Sequence, residues 1–129
     1  MQRDGAEAMI QFCISTGAIS QNASSIGMGY AGHPPYVNDP TACDMKGLGP
    51  LPVGTYGIGP PENFPESVGM FAIPLTPQPE NTMFGRSGFF VHGDNPAANQ
   101  TASDGCIVTS RATRGIVAAD QDATLVVVA

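Results

Sequence analysis

Apolar and polar positions trade places over short distances along this chain, and long helical periods are scarce. Residues 9–16 alternate imperfectly and read as a strand. Residues 17–25 are polar and read as a turn region. Residues 26–32 set Ile26, Met28 and Tyr30 between glycines, which suits a bulged strand approached closely by another backbone or a ligand. Residues 33–46 carry three prolines, and Pro34-Pro35 excludes a helix there. A turn at 49–54 precedes a short strand at 55–58, and 59–67 is a loop. Residues 68–75 read as a strand that Pro74 ends or places at an edge. After a turn at 77–82, a strand over 83–91 is interrupted by Gly85-Arg86-Ser87-Gly88. Residues 110–119 are the one good helix candidate, with Ser110 as N-cap and Ile116, Val117 and Ala118 as apolar surface. Residues 123–128 form a final buried strand. The pattern predicts a mostly-β single domain over residues 1–129, with one or two short helices and largely non-local strand pairing.

Composition supports the pattern. Gly and Pro number 16 and 12, so turns are frequent, and the charged share is only 12%. The net charge is −6, with Arg3, Lys46, Arg86, Arg111 and Arg114 as the basic residues. No basic face can form to neutralise phosphates, which argues against nucleic acid as a partner. No apolar run is long enough for a membrane span. The first residues lack the basic start and apolar core of a signal peptide, so cytosolic residence or export by another route is expected. Cys13, Cys43 and Cys106 make an odd count. A Cys13–Cys43 disulfide leaving Cys106 free is the expected pairing, with Cys13 as a small apolar strand residue as the alternative. Cofactors and structural metals are not expected, because no cysteine or histidine cluster has ligand spacing.

The chemistry concentrates in residues 89–114. A β-type run delivers His92 to the head of a polar loop, and the loop ends in Ser103-Asp104-Gly105-Cys106 before the apolar pair Ile107-Val108. A cysteine thiolate is a strong nucleophile toward a carbonyl, and histidine is the usual base near neutral pH. A return of the loop would bring the two together. Arg86, Arg111 and Arg114 flank the segment and are candidates for an anionic group on the substrate, or are plain surface charges. Asp94 falls two residues after His92 and can share its strand face, although Asp94-Asn95-Pro96 also suits a turn.

His92-Gly93 upstream of Ser103-Asp104-Gly105-Cys106 resembles the L,D-transpeptidase (YkuD-type) cysteine enzymes. A closer resemblance is to type VI secretion effectors with L,D-carboxypeptidase and transpeptidase-exchange activity. It is carried by Gly29-Tyr30-Ala31-Gly32, by residues 49–56 and 83–89, by His92-Gly93-Asp94 and by residues 103–108, in order along most of the chain. Asp104 and Val108 depart from the mainstream enzymes, many of which place histidine and arginine there. The resemblance implies an L,D-transpeptidase-like curved β-sandwich or barrel. It implies Cys106 as nucleophile and His92 as base, with Ser103 and Gly105 in the catalytic loop. Backbone N–H groups around Gly105 and Cys106 are the expected oxyanion donors. A backbone carbonyl, Ser103 or Asp94 would hold the imidazole. Tyr30, Arg86, Gly93, Asp94, Arg111 and Arg114 are the expected substrate contacts, with Arg86 alternatively bracing the site through a protein carboxylate. The implied substrate is a peptidoglycan stem peptide in a rival cell's periplasm. The implied partners are the type VI secretion apparatus and a cognate immunity protein.

Three other readings compete. A papain-like Cys-His peptidase or amidase is opposed by residue order, since His92 precedes Cys106. A wall-binding or structural module would leave Cys106 inert. A metal site of His92, Asp94 and Asp104 has suitable ligand types without a known spacing.

Overall fold

A computed structural model describes residues 9–64 and 67–129, and the segment read for a signal peptide lies outside them. The strands are β1 (Met9–Cys13), β2 (Ala18–Gln21), β3 (Ser24–Ala31), β4 (Gly54–Ile58), β5 (Glu62–Phe64), β6 (Gly69–Pro77), β7 (Phe89–His92), β8 (Ile107–Thr109) and β9 (Thr124–Val128). The α-helix among the described residues is α1 (Arg111–Ala119), and Pro40–Ala42 form a 3-10 turn. The strands make one sheet in the order β4-β9-β1-β2-β3-β8-β7-β6-β5. A further pairing of β4 with β6 closes that sheet into a barrel-like wall, which leaves few open edges. The expected mostly-β, barrel-like architecture is what the chain adopts.

Alternation explains the interior. Ile10 and Phe12 of β1, Leu125 and Val127 of β9, Phe89 and Val91 of β7, and Ile107 of β8 all point inward and are almost fully buried. Tyr56 closes the core; its hydroxyl donates to the Pro52 carbonyl at 2.6 Å. The helix begins where expected, because Ser110 Oγ accepts the Thr113 amide at 3.1 Å. Val117 is its buried apolar residue, whereas Ile116 stays exposed.

Several expectations are corrected. Residues 17–25 are no mere turn: β2 and β3 form a hairpin through Asn22 and Ala23, both at positive φ (49° and 70°). The second position of such a two-residue turn usually holds glycine, so the pair carries no strong turn signal. The loop over 59–67 contains β5. Pro74 neither ends β6 nor lies at an edge. It pairs with Phe90, and its carbonyl accepts from Gly59 where β6 changes partner from β5 to β4. A proline there deprives no ladder of a donor. Residues 83–88 are turn rather than strand, with Phe84, Gly85 and Gly88 at positive φ. The Cys13–Cys43 disulfide is absent: all three cysteines are free. Cys13 leaves the end of β1 toward Ser15 Oγ, while buried Cys43 faces the Leu51 carbonyl, so each thiol has its own partner.

The parallel pair β7–β8 positions the chemistry, with Val91 opposite Ile107 and His92 opposite Val108. Parallel neighbours cannot be joined by a tight hairpin, so residues 93–106 must run back along the sheet. Strand β3 flanks β8 and comes very close at Gly29, where a Cβ would lie 2.6 Å from the Val108 carbonyl oxygen. Gly29→Ala is expected to push β3 from β8 and lower stability by about 2 kcal/mol, the range for overpacking a tight site. Urea unfolding of the two proteins measures this, and an unchanged midpoint would contradict it.

Candidate active site

The register sorts side chains onto two faces. Ala31, Ile107 and Val91 form a row across β3, β8 and β7 that faces the core. The next row, Tyr30, Val108 and His92, faces the other way. Cys106 lies in the bend directly before β8, packs partly against the core and sets its sulfur beside Gly88 and Phe90 at the start of β7. The return loop brings Cys106 back beside β7, the strand that ends in His92.

His92 is 4% exposed. Its Nδ1 lies 2.8 Å from the Gly93 carbonyl oxygen, which can only accept. The proton therefore sits on Nδ1, and Nε2 is left as the base. Burial lowers the imidazole pKa below its ordinary value; the Gly93 carbonyl opposes this, and the Arg114 charge adds to it. The tautomer is held by a backbone carbonyl, not by Ser103 or Asp94.

Cys106 Sγ accepts the Phe90 amide at 3.3 Å and lies 3.9 Å from the Gly88 carbonyl oxygen. Burial pushes the thiol up to about 11. The Phe90 N–H and the Arg86 charge work against that rise, and Asp104 reinforces it. Among the described residues no hydrogen bond joins Sγ to the imidazole, so at rest both groups are neutral. A catalytic pair in an empty site commonly tightens only around its substrate. The sulfur opens into a cleft of about 290 Å³ lined by Lys46, Gly85, Arg86, Ser87, Gly88 and Asp104, among others.

Ser103 is fully buried and organises the loop rather than facing substrate. Its Oγ accepts the Gly32 and Gly105 amides, each at 2.9 Å, and donates to the Cys106 carbonyl at 2.6 Å. Consequently the Gly105 N–H is already occupied and is not a free oxyanion donor. Gly105 itself is at φ 143°, and a Cβ there would meet Arg86 Nη2 at 2.6 Å and Phe89 at 2.9 Å. Its place beside Cys106 requires glycine.

Arg86 is also placed differently from the substrate contact read in the sequence. It is 7% exposed. Nη1 donates to the carbonyls of Cys43 and Pro50 at 2.6 and 2.8 Å, and Nη2 to those of Gly49 and Asp104 at 2.8 and 3.2 Å. Its Cζ lies 5.1 Å from the Phe89 ring centroid. The brace runs through carbonyl oxygens, not through a protein carboxylate. On the far side of His92, Tyr30 donates to Asp94 Oδ1 at 2.8 Å and accepts the Ala102 amide at 3.1 Å, which ties the return loop to β3. Burial, with the Asp94 charge adding, raises that phenol to about 12. Tyr30, Gly93, Asp94, Arg111 and Arg114 line one shared cleft. Lys46 is the residue sequence reasoning passed over. It lies in a proline-rich loop distant in sequence, and only the fold brings its ammonium beside Gly85 at the thiol cleft. Among the described residues no three His, Cys, Asp or Glu side chains converge as a metal site.

Two predictions follow from this geometry. Arg86→Met leaves four carbonyls without their donor and is expected to cost about 3 kcal/mol in urea unfolding, whereas losing a substrate contact alone would shift stability by under about 0.5 kcal/mol. In a Cys13→Ser background, alkylation of Cys106 by iodoacetamide should climb with pH well beyond the ordinary thiol range, toward about 11. A plateau reached near pH 7 would show a thiolate at rest and contradict the neutral pair.

Residues 25–127 match the Tlde1 domain family. No curated protein sequence matches the chain. Three solved structures show the same fold. An L,D-transpeptidase from Mycobacterium tuberculosis H37Rv is 20% identical with a TM-score of 0.55, covering 94% of this chain and 57% of its own. An L,D-transpeptidase from Mycobacterium smegmatis is 16% identical with a TM-score of 0.57, covering 97% and 60%. The helical cell shape determining protein Pgp2 from Campylobacter jejuni is 18% identical with a TM-score of 0.55, covering 94% and 47%. The chain therefore spans between about half and three fifths of these proteins. With the family match running over most of its length and the fold agreeing, the chain belongs to the Tlde1 domain family, the type VI L,D-transpeptidase effector family that its motifs resemble.

Proposed function

We propose that this protein is an antibacterial cysteine enzyme that cuts the bond between the third stem residue of peptidoglycan and its terminal D-alanine. The observation that supports the reading is that the parallel pair β7–β8 carries His92 and is directly preceded by Cys106, whose sulfur takes the Phe90 amide of β7 while Cys106 lines a cleft and the Gly93 carbonyl holds the His92 Nδ1 proton. His92 Nε2 takes the thiol proton as substrate enters. The thiolate attacks the carbonyl on the L-centre of the diamino acid. The Phe90 N–H offsets charge on the sulfur before attack. The Cys106 amide is the oxyanion donor that remains, because Ser103 holds that of Gly105. The tetrahedral intermediate collapses, the C–N bond breaks, and His92 returns the proton to the departing amine. Water then attacks the Cys106 thioester to give a tripeptide, or a D-amino acid amine attacks to give the exchanged tetrapeptide. In either case the thiol is regenerated. Lys46 gives the thiol cleft a cation for the anionic stem. Delivery through the type VI apparatus to a target cell's periplasm and a cognate immunity protein complete the proposal. No helix among the described residues is long and apolar enough to cross a membrane.

Purified tetrapeptide muropeptides, followed by mass, test this. The parent should yield tripeptide and, with an added D-amino acid, the exchange product. Cys106→Ala and His92→Ala should each lose at least about 100-fold in rate. With burial holding His92 below its ordinary pKa, the base stays unprotonated, and the parent active, to pH values below 6.5. No mass change with folded parent and a free thiol would sink the proposal and favour a wall-binding module.

A further inference from the structure

A second cleft, of about 560 Å³, opens at the N-terminus of α1 and is lined by Tyr30, Gly93, Asp94, Ser110, Arg111 and Arg114, among others. It continues the catalytic face, because Tyr30 and Val108 occupy the row that ends at His92. Its chemistry is incomplete. Arg114 is 7% exposed and its Nη1 donates to the Thr109 carbonyl at 3.1 Å, yet among the described residues its buried Nε–H has no hydrogen-bond partner. Buried donors are seldom left so, because an unpaired polar group costs free energy. Arg111 stands one turn earlier, with its Cζ 3.5 Å from the Phe71 ring centroid. Burial, and then the charge of Arg111, holds the Arg114 pKa below its ordinary value. The cleft's own carboxylate, Asp94, takes the Tyr30 hydroxyl and the Asn95 amide. Two neighbouring cations, a helix N-terminus and an orphan donor together suit an anion from outside.

His92 narrows which anion. The imidazole gives a proton to the departing D-residue amine and takes one from an arriving amine. By microscopic reversibility the two amines occupy one place. Each carries a carboxylate on the adjoining carbon. The Arg114 guanidinium packs on Gly93, the residue after His92: a Cβ on Gly93 would lie 2.7 Å from Nη1. We infer that Arg111 and Arg114 bind the terminal carboxylate of the D-residue, departing and arriving alike, an assignment that rests on the acyl-transfer reading above. The cleft then makes the enzyme demand a free C-terminus on its donor and a free carboxylate on its acceptor. A hydrogen-bonding site rejects an analogue that cannot satisfy it far more strongly than an apolar pocket rejects a wrong shape.

The test compares a tetrapeptide ending in D-alanine with one ending in D-alaninamide. The parent should favour the acid by about tenfold or more in kcat/KM. Arg111→Gln and Arg114→Gln should shrink that ratio toward one, and a ratio is insensitive to a general loss of activity. If Arg114→Gln does not fold, exposed Arg111 keeps the test available. Equal use of acid and amide by the parent overturns the inference. So does a preference that survives both arginine variants, or one that Lys46→Gln alone abolishes. A second readout needs no turnover: in Cys106→Ala protein, the Arg114 Nε–H nuclear resonance should shift on titration with D-alanine but not with D-alaninamide. An unmoved resonance overturns the anion site. If the resonance shifts while the parent cleaves no tetrapeptide, the acyl-transfer reading fails and the assignment to a D-residue carboxylate falls with it, leaving an anion site alone.

Discussion

The site depends on one buried cation that, among the described residues, is paired with no carboxylate. Arg86 gathers the carbonyls of Cys43, Gly49, Pro50 and Asp104 around a single guanidinium. A charge taken out of water costs several kcal/mol unless its donors are met, and here four carbonyl dipoles meet them. Those carbonyls belong to segments that no strand pairing would otherwise bring to the catalytic loop. Asp104 is two residues from the nucleophile, and Gly105 lies against Arg86 so tightly that no side chain fits between. The Leu51 amide bonds the Gly105 carbonyl from the same side. The segment of residues 43–51, with no regular ladder of its own, is thus fixed to the loop that carries Cys106.

Ser103 completes the knot from inside. With Gly32, Gly105 and Cys106 all bonded to one hydroxyl, the backbone around the nucleophile has little freedom left. That rigidity has a chemical consequence. The amide of Gly105 is already held by Ser103, and the sulfur receives the Phe90 amide. Cys106 sits in a shell that disfavours its thiolate, with burial outweighing the Phe90 N–H and the Arg86 charge. His92, also neutral at rest, is pre-set by the Gly93 carbonyl as a base.

Much of this was legible in the chain, and what was not has identifiable causes. The order of strands around residues 89–108 followed from apolar runs flanking a polar loop, and the parallel return made that loop bring Cys106 back beside β7. The helix was legible because Ser110 caps it. The β2–β3 hairpin was hidden by a turn, Asn22-Ala23, that lacks the usual glycine. Pro74 misled because its missing donor matters only where a neighbour would accept from it, and there the sheet changes partners. The roles of Arg86 and Ser103 escaped for a different reason. Side-chain type announces a possible hydrogen bond, but its partners here lie up to 71 residues away in sequence. The same holds for Lys46, whose place at the thiol cleft is a property of the barrel.

Charge distribution joins these parts. The chain carries net charge −6 and only five basic residues. Four of them, Lys46, Arg86, Arg111 and Arg114, surround Cys106 and His92. Arg86 is committed to carbonyls, so it supplies structure and only a residual field at the sulfur. Lys46 stands on the thiol side and the Arg111–Arg114 pair on the side of Gly93, which places positive potential at both ends of the catalytic row. On an otherwise acidic surface, such an arrangement focuses anionic ligands into the cleft and orients them before any contact forms. A ligand with negative charge at two separated points would be drawn across Cys106 and His92 rather than along the wall.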